Sequence, residues 1–232
     1  MSARKKNLHR WNLGYAEAVA VQEQVCEMVE LRPLSLRRIR TVAGSDLAVS
    51  KTLDRLVAAV VVMTFPGLEV VETQTVSTPL VFPYIPGLLS FREIPALIEC
   101  LERVRTPFDV MLCDAHGMAH PRGLGLASHL GVLIDKPTIG CAKSRLIGEH
   151  DDPGISRGDY AALMHKGKRI GSVVRTRDRI NPLFISPGHL TDHPSARRIT
   201  LACLTRYRLP EPTRLAHIAA GKAKRELEAS RS

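Results

Sequence analysis

The sequence predicts an α/β fold with a mixed central sheet, three antiparallel strands followed by parallel ones, flanked by helices. Two observations carry this expectation. Apolar runs of strand length crowd the stretch 41–76 with short connections between them, and helical periodicity then alternates with strand-like runs. A chain of 232 residues is also long enough to bury one large core.

The elements follow in order. Val21, Val25, Met28 and Val29 recur at helical spacing, predicting a helix over 16–30 that ends before Pro33. Strands are expected at 41–49, 56–63 and 68–76. Their short connections favour an antiparallel meander, and the second, apolar throughout, reads as covered on both faces. A loop rich in proline and aromatic residues leads to a helix over 91–104, then a short buried strand over 109–113 that ends at Asp114. A helix near 123–133 and a strand at 137–141 follow. A hairpin is expected next, with strands near 168–175 and 183–185. Pro194 opens a helix running through Leu204, and Pro210 and Pro212 break it before a short C-terminal helix. This element order is that of the ribonuclease H-like architecture. The expected organisation is a basic, flexible tail over 1–14, one domain over 15–220 and a basic C-terminal tail over 221–232.

Lys and Arg total 33 against 23 Asp and Glu, a formal net charge of +10. Such an excess suits a polyanionic partner, because cationic side chains displace counterions from phosphates without reading sequence. It also suits a plain solvated surface, so charge alone does not decide. The five cysteines form no CxxC pair and sit in apolar stretches, which excludes a disulfide framework or a cysteine zinc site. No uninterrupted apolar run could span a bilayer, and the basic N-terminus lacks a following apolar segment, so a cytoplasmic location is expected.

Acids that interrupt apolar strands are the positions where chemistry is expected. Asp46 interrupts the first strand and Asp114 ends the fourth. A buried, unpaired aspartate is costly, so each must be paired, hydrogen-bonded or metal-bound. If the first and fourth strands are neighbours, the two acids meet at one edge, as a site for a hard divalent cation requires. Glu93, opening the helix after the loop, could reach the same edge.

Longer stretches carry a family resemblance. Residues 83–93 (PYIPGLLSFRE), 114–122 (DAHGMAHPR), 137–144 (PTIGCAKS), 181–189 (NPLFISPGH) and 207–214 (YRLPEPTR) occur in one order and resemble signature blocks of endonuclease V. The resemblance implies a ribonuclease H-like fold and Mg²⁺-dependent cleavage, with Mn²⁺ as a substitute. The cut would fall at the second phosphodiester bond 3′ to deoxyinosine or another deaminated base, leaving 3′-hydroxyl and 5′-phosphate ends. By the same resemblance, Asp46, Asp114, Glu93 and His217 match the metal site, and Lys143 matches a lysine beside the scissile phosphate. Pro83, Tyr84, Ile85 and Pro86 match a wedge pushed into the duplex. Gly87, Ala115, His116 and Gly117 match the surroundings of the base, although the family usually has glycine where Ala115 stands. Flanking prolines stiffen the wedge tip, so little entropy is lost when it inserts.

The expected protein is therefore a monomeric DNA-repair endonuclease acting on DNA with deaminated purines. A ribonuclease for inosine-containing RNA is the alternative within enzymology. A binder that holds such nucleic acid without cutting is the alternative outside it. Clustered acids argue against the binder, since they repel phosphate and give a pure binder nothing.

Overall fold

A computed structural model describes residues 8–230. Residues 1–7 of the expected N-terminal tail and residues 231–232 lie outside the described residues. One eight-stranded sheet organises the chain, with strand order β3-β2-β1-β4-β5-β8-β7-β6. Its strands are β1 (Thr41–Ser50), β2 (Arg55–Thr64), β3 (Val70–Pro79), β4 (Val110–Cys113), β5 (Thr138–Ala142), β6 (Tyr160–His165), β7 (Lys168–Val174) and β8 (Leu183–Pro187). The β1–β2 and β2–β3 pairs are antiparallel, whereas β4 runs parallel to both β1 and β5. The ribonuclease H-like mixed sheet expected from the element order is therefore present.

Among the described residues five α-helices cover it: α1 (Tyr15–Cys26), α2 (Leu89–Arg103), α3 (Leu126–Ile134), α4 (His193–Ala202) and α5 (Glu211–Ala229). Alternating side chains of the central strands feed two separate layers. Ala43, Leu56, Ala58, Val60, Met111 and Cys113 join Ile94 and Leu97 of α2 and Leu130 of α3. Val42, Val61, Met63, Val110 and Leu112 join Ile199 of α4 and Ala216 of α5. That two-sided burial is why β2 reads as continuously apolar. No helix among the described residues is long and apolar enough to cross a membrane.

Three expectations need correction. The first helix stops at Cys26, not Glu30. The Glu30 backbone serves another partner: its N–H donates to His189 Nδ1 at 3.2 Å and its carbonyl accepts from Leu190 N–H at 2.7 Å. The expected hairpin is present, with β7 antiparallel to β8, but a strand the sequence did not announce, β6, precedes it and turns into β7 through Lys166 and Gly167, both at positive φ. β6 is an edge strand with little burial, so it lacks the apolar alternation that marks a strand.

The expected C-terminal tail is mostly helix, because α5 continues to Ala229. Opposite charges one turn apart support it, Lys222 with Glu226 and Lys224 with Glu228. The Ser50 hydroxyl donates to Glu228 at 2.6 Å and ties the helix to β1. Likewise the expected flexible tail is docked over its described part. Trp11 packs against both Phe91 and His129, with its ring stacked on the imidazole at 5.7 Å.

Candidate active site

Parallel pairing of β1 and β4 builds the centre. Ser45 is in register with Cys113, and the Asp114 N–H donates to the Ser45 carbonyl at 3.2 Å. Asp46 on β1 and Asp114 just past β4 follow that pair, so they stand side by side where β4 ends in the middle of the sheet. Helix α5 closes over them because Gly44 has no side chain. A Cβ there would lie 2.0 Å from the Pro212 carbonyl carbon and 2.6 Å from the Thr213 nitrogen. Gly44 and Asp46 share a strand face, and Thr213 and His217 share a helix face one turn apart. The contact at Gly44 therefore sets His217 over Asp46, with Nδ1 2.6 Å from Oδ2.

Asp46, Asp114 and His217 each present a ligand atom, and these atoms all lie within 4.8 Å of one another. The Lys143 ammonium pairs with Asp114, whose side chain is 7% exposed. Arg208, which sequence reasoning left without a role, braces that lysine. It donates to the Lys143 carbonyl at 2.9 Å and to the carbonyls of Asn181 and Pro182. Its signal in the sequence was only its place inside a family-like block.

Glu93 stands outside the group of three but feels both aspartates. Burial, then the charge of Asp46, raises its carboxyl to about 8, against the opposing pull of Arg92. Asp46 is raised as well, first by burial and then by Asp114, while its hydrogen bond to His217 works the other way. Carboxylates that burial and mutual repulsion push towards the neutral form are a fitting cradle for a divalent cation, which would offset both penalties. The donor set of carboxylates and one imidazole suits a hard ion.

Beside this centre lies a cleft of about 220 Å³. The 84–87 loop forms one wall, Ala115 and His116 a second, and Ser144 and Arg145 a third. Two polar atoms at its wall, Ser90 Oγ and His116 Nδ1, are buried with no hydrogen-bond partner among the described residues. Burial lowers the His116 imidazole to about 4 while its hydrogen bond to the Ser144 backbone opposes, so the ring is neutral at pH 7. Tyr84, at the loop tip, is 68% exposed, and the Arg92 guanidinium sits 5.8 Å from its ring centre.

Of the residues singled out in the sequence, Asp46, Asp114, Lys143 and His217 come together, with Glu93 beside them. Tyr84, Ile85, Pro86, Gly87, Ala115 and His116 line the cleft; Pro83 and Gly117 do not. The Gly117 N–H donates to Ser186 Oγ at 2.8 Å, and a Cβ there would sit 2.1 Å from the Pro187 oxygen. That glycine therefore serves loop-to-β8 packing.

Known proteins resemble this chain over nearly its whole length. The family model described as Endonuclease V matches residues 23–218. An Endonuclease V from Trichormus variabilis is 47% identical over 210 residues, covering 90% of this chain and 94% of that one. The crystal structure of Endonuclease V from Streptomyces avermitilis superposes with a TM-score of 0.90 at 40% identity, covering 94% and 96% of the two chains. A Ciona intestinalis Endonuclease V, 28% identical with a TM-score of 0.82 and 91% and 98% coverage, was solved with a 24mer DNA containing an inosine followed by a ribo-adenosine.

Proposed function

The chain belongs to the endonuclease V family and is a nuclease, and we propose that it nicks one DNA strand at the second phosphodiester bond 3′ to deoxyinosine. The observation that carries the proposal is the meeting of Asp46, Asp114 and His217 beside a cleft walled by the 84–87 loop. A cutting centre and a space for an extruded base stand next to each other. Inosine in the nucleic acid bound by the Ciona relative supports the choice of lesion.

In this reading Asp46, Asp114, Glu93 and His217 hold Mg²⁺, with Mn²⁺ as a substitute. The bound ion supplies Lewis-acid charge at the scissile phosphate. His217 fixes the orientation of the Asp46 carboxylate through their hydrogen bond. Lys143 places its charge against the phosphate, exchanging part of its pairing with Asp114 for a phosphate oxygen. Tyr84 and Ile85 wedge between the strands, and the Tyr84 ring replaces stacking lost when the base leaves the helix. Water adds to phosphorus, the bond to the 3′ oxygen breaks, and the products are a 3′-hydroxyl and a 5′-phosphate. Glu93, held towards the neutral form while no cation is bound, would give up its proton on taking its place among the ligands. A monomer acting in the cytoplasm completes the proposal.

The same site would serve inosine-containing RNA, and the ribo-adenosine beside inosine in the Ciona complex favours weighing that reading. End-labelled duplexes carrying one deoxyinosine, with or without a 3′ ribonucleotide and with Mg²⁺ or EDTA, separate the cases. The expected result is a Mg²⁺-dependent nick one nucleotide beyond the lesion in the all-DNA duplex, lost in Asp46→Asn and Asp114→Asn. Cleavage only when the ribonucleotide is present would replace the DNA reading with the RNA one. Binding without any nick would overturn both.

A further inference from the structure

Three side chains from two separate stretches converge on one backbone oxygen, the Gly87 carbonyl that ends the cleft-lining loop. Arg122 Nη2 donates to it at 2.7 Å and Gln22 Nε2 at 3.0 Å, and His120 Nε2 lies 3.1 Å away. The Arg122 N–H donates to His120 Nδ1 at 3.3 Å. Nδ1 is therefore the accepting nitrogen, and Nε2 carries the proton that the carbonyl receives. Arg122 Nε also donates to Gln22 Oε1 at 2.6 Å, which closes the ring.

A carbonyl oxygen has two lone pairs, so three donors exceed what one acceptor needs merely to be satisfied. Gln22 is 1% exposed on α1, remote in sequence from both the loop and the metal site. Burying that amide is costly unless its hydrogen bonds are made, and here they are made to the loop and its neighbours. Gln22, Gly87 and His120 all line the cleft, while the opposite end of the loop carries the exposed Tyr84. The loop is thus pinned where it walls the cleft and free where it would enter a duplex.

We propose that Gln22, His120 and Arg122 are positioning residues for lesion recognition, pinning the Gly87 carbonyl so that the 84–87 wall does not yield to a wrong base. The inference rests on the cleft being the base pocket of the proposed function. Its physical basis is that purines differing by one exocyclic group are told apart only by a wall that cannot relax around the larger one. None of the three side chains touches Asp46, Asp114 or Lys143 in a hydrogen bond among the described residues, so the chemical step is spared.

The test uses Gln22→Met, Arg122→Met and the double variant on two duplexes, one with deoxyinosine and one with deoxyguanosine at the same position. Steady-state kcat and KM are measured separately, beside thermal unfolding. The expected result is a KM on deoxyinosine raised about tenfold, a kcat within about twofold and a smaller inosine-to-guanine ratio. The double variant should be no worse than the poorer single one, because both act through one contact. Folded variants with an unchanged ratio, or with a loss wholly in kcat, would overturn the inference while leaving the proposed function standing. If Gln22→Met does not fold, Arg122→Met, at a less buried position, decides alone. A wild-type protein that cuts neither duplex overturns both readings.

Discussion

Glu93 shows what the site costs the fold when no cation is bound. Its carboxyl is raised to about 8 from an ordinary 4.5, so between those values the folded protein holds a proton that the unfolded chain has released. The folded state binds more protons there, and this group's contribution to stability falls as pH rises through that window. Glu93→Gln removes the penalty. In EDTA at pH 8 the variant should melt higher than wild type, by about 2–4 °C for each kcal/mol of penalty removed, and at pH 4.5 the two should coincide. Adding Mg²⁺ should raise the wild-type melting temperature at pH 8 and move the variant much less. Calorimetry at both pH values checks this; a variant that melts lower than wild type in EDTA at pH 8 refutes the account. Stability surrendered at a functional cluster is the usual pattern.

At the scale of elements, the seating of α5 on β1 matters most. Gly44 permits backbone-to-backbone contact with the first turn of α5, and His217 follows from that seating. Gly44→Ala must push α5 outward, since the obstacle is backbone and cannot swing aside. The displacement should cost about 1–3 kcal/mol of stability. It should also lower kcat about a hundredfold, because catalytic groups an ångström out of place lose that much. Chemical denaturation and single-turnover cleavage measure the two effects. A variant that loses stability but keeps full kcat would mean that His217 does not need its place over Asp46. The wedge loop is a contrasting element: prolines at 83 and 86 stiffen it, and Arg122 with its two partners holds one end.

For the whole molecule the net charge of +10 sets how it meets DNA before any lesion is found. Each phosphate neutralised contributes about −0.9 to the slope of log affinity against log salt. Neutralising three phosphates gives a slope of about −3, so raising salt fourfold should weaken binding to undamaged duplex roughly fiftyfold. Fluorescence anisotropy from 50 to 200 mM KCl reads the slope. A flat response would assign the charge to a solvated surface and leave the cleft alone to hold the substrate.

The sequence by itself determined the strand and helix order, the pairing of an acid at 46 with one at 114, and the loop of prolines around Tyr84. These are local signals: apolar periodicity, acids set against apolar runs, and proline spacing are all written within short windows. It was silent where partners lie far apart along the chain. Nothing near Glu30 announces that His189 and Leu190 will take its backbone and end α1 early. β6 has too little burial to show a period, and the last turns of α5 look like a charged tail until Glu228 meets Ser50. The roles of Gly117, expected at the base, and of Arg208, for which none was expected, were likewise decided by what folded against them, β8 for the first and the Lys143 loop for the second. Only the tertiary structure set His217 on Asp46 and three donors on the Gly87 carbonyl. Such convergences are made by packing between distant segments, which short-range sequence patterns do not encode.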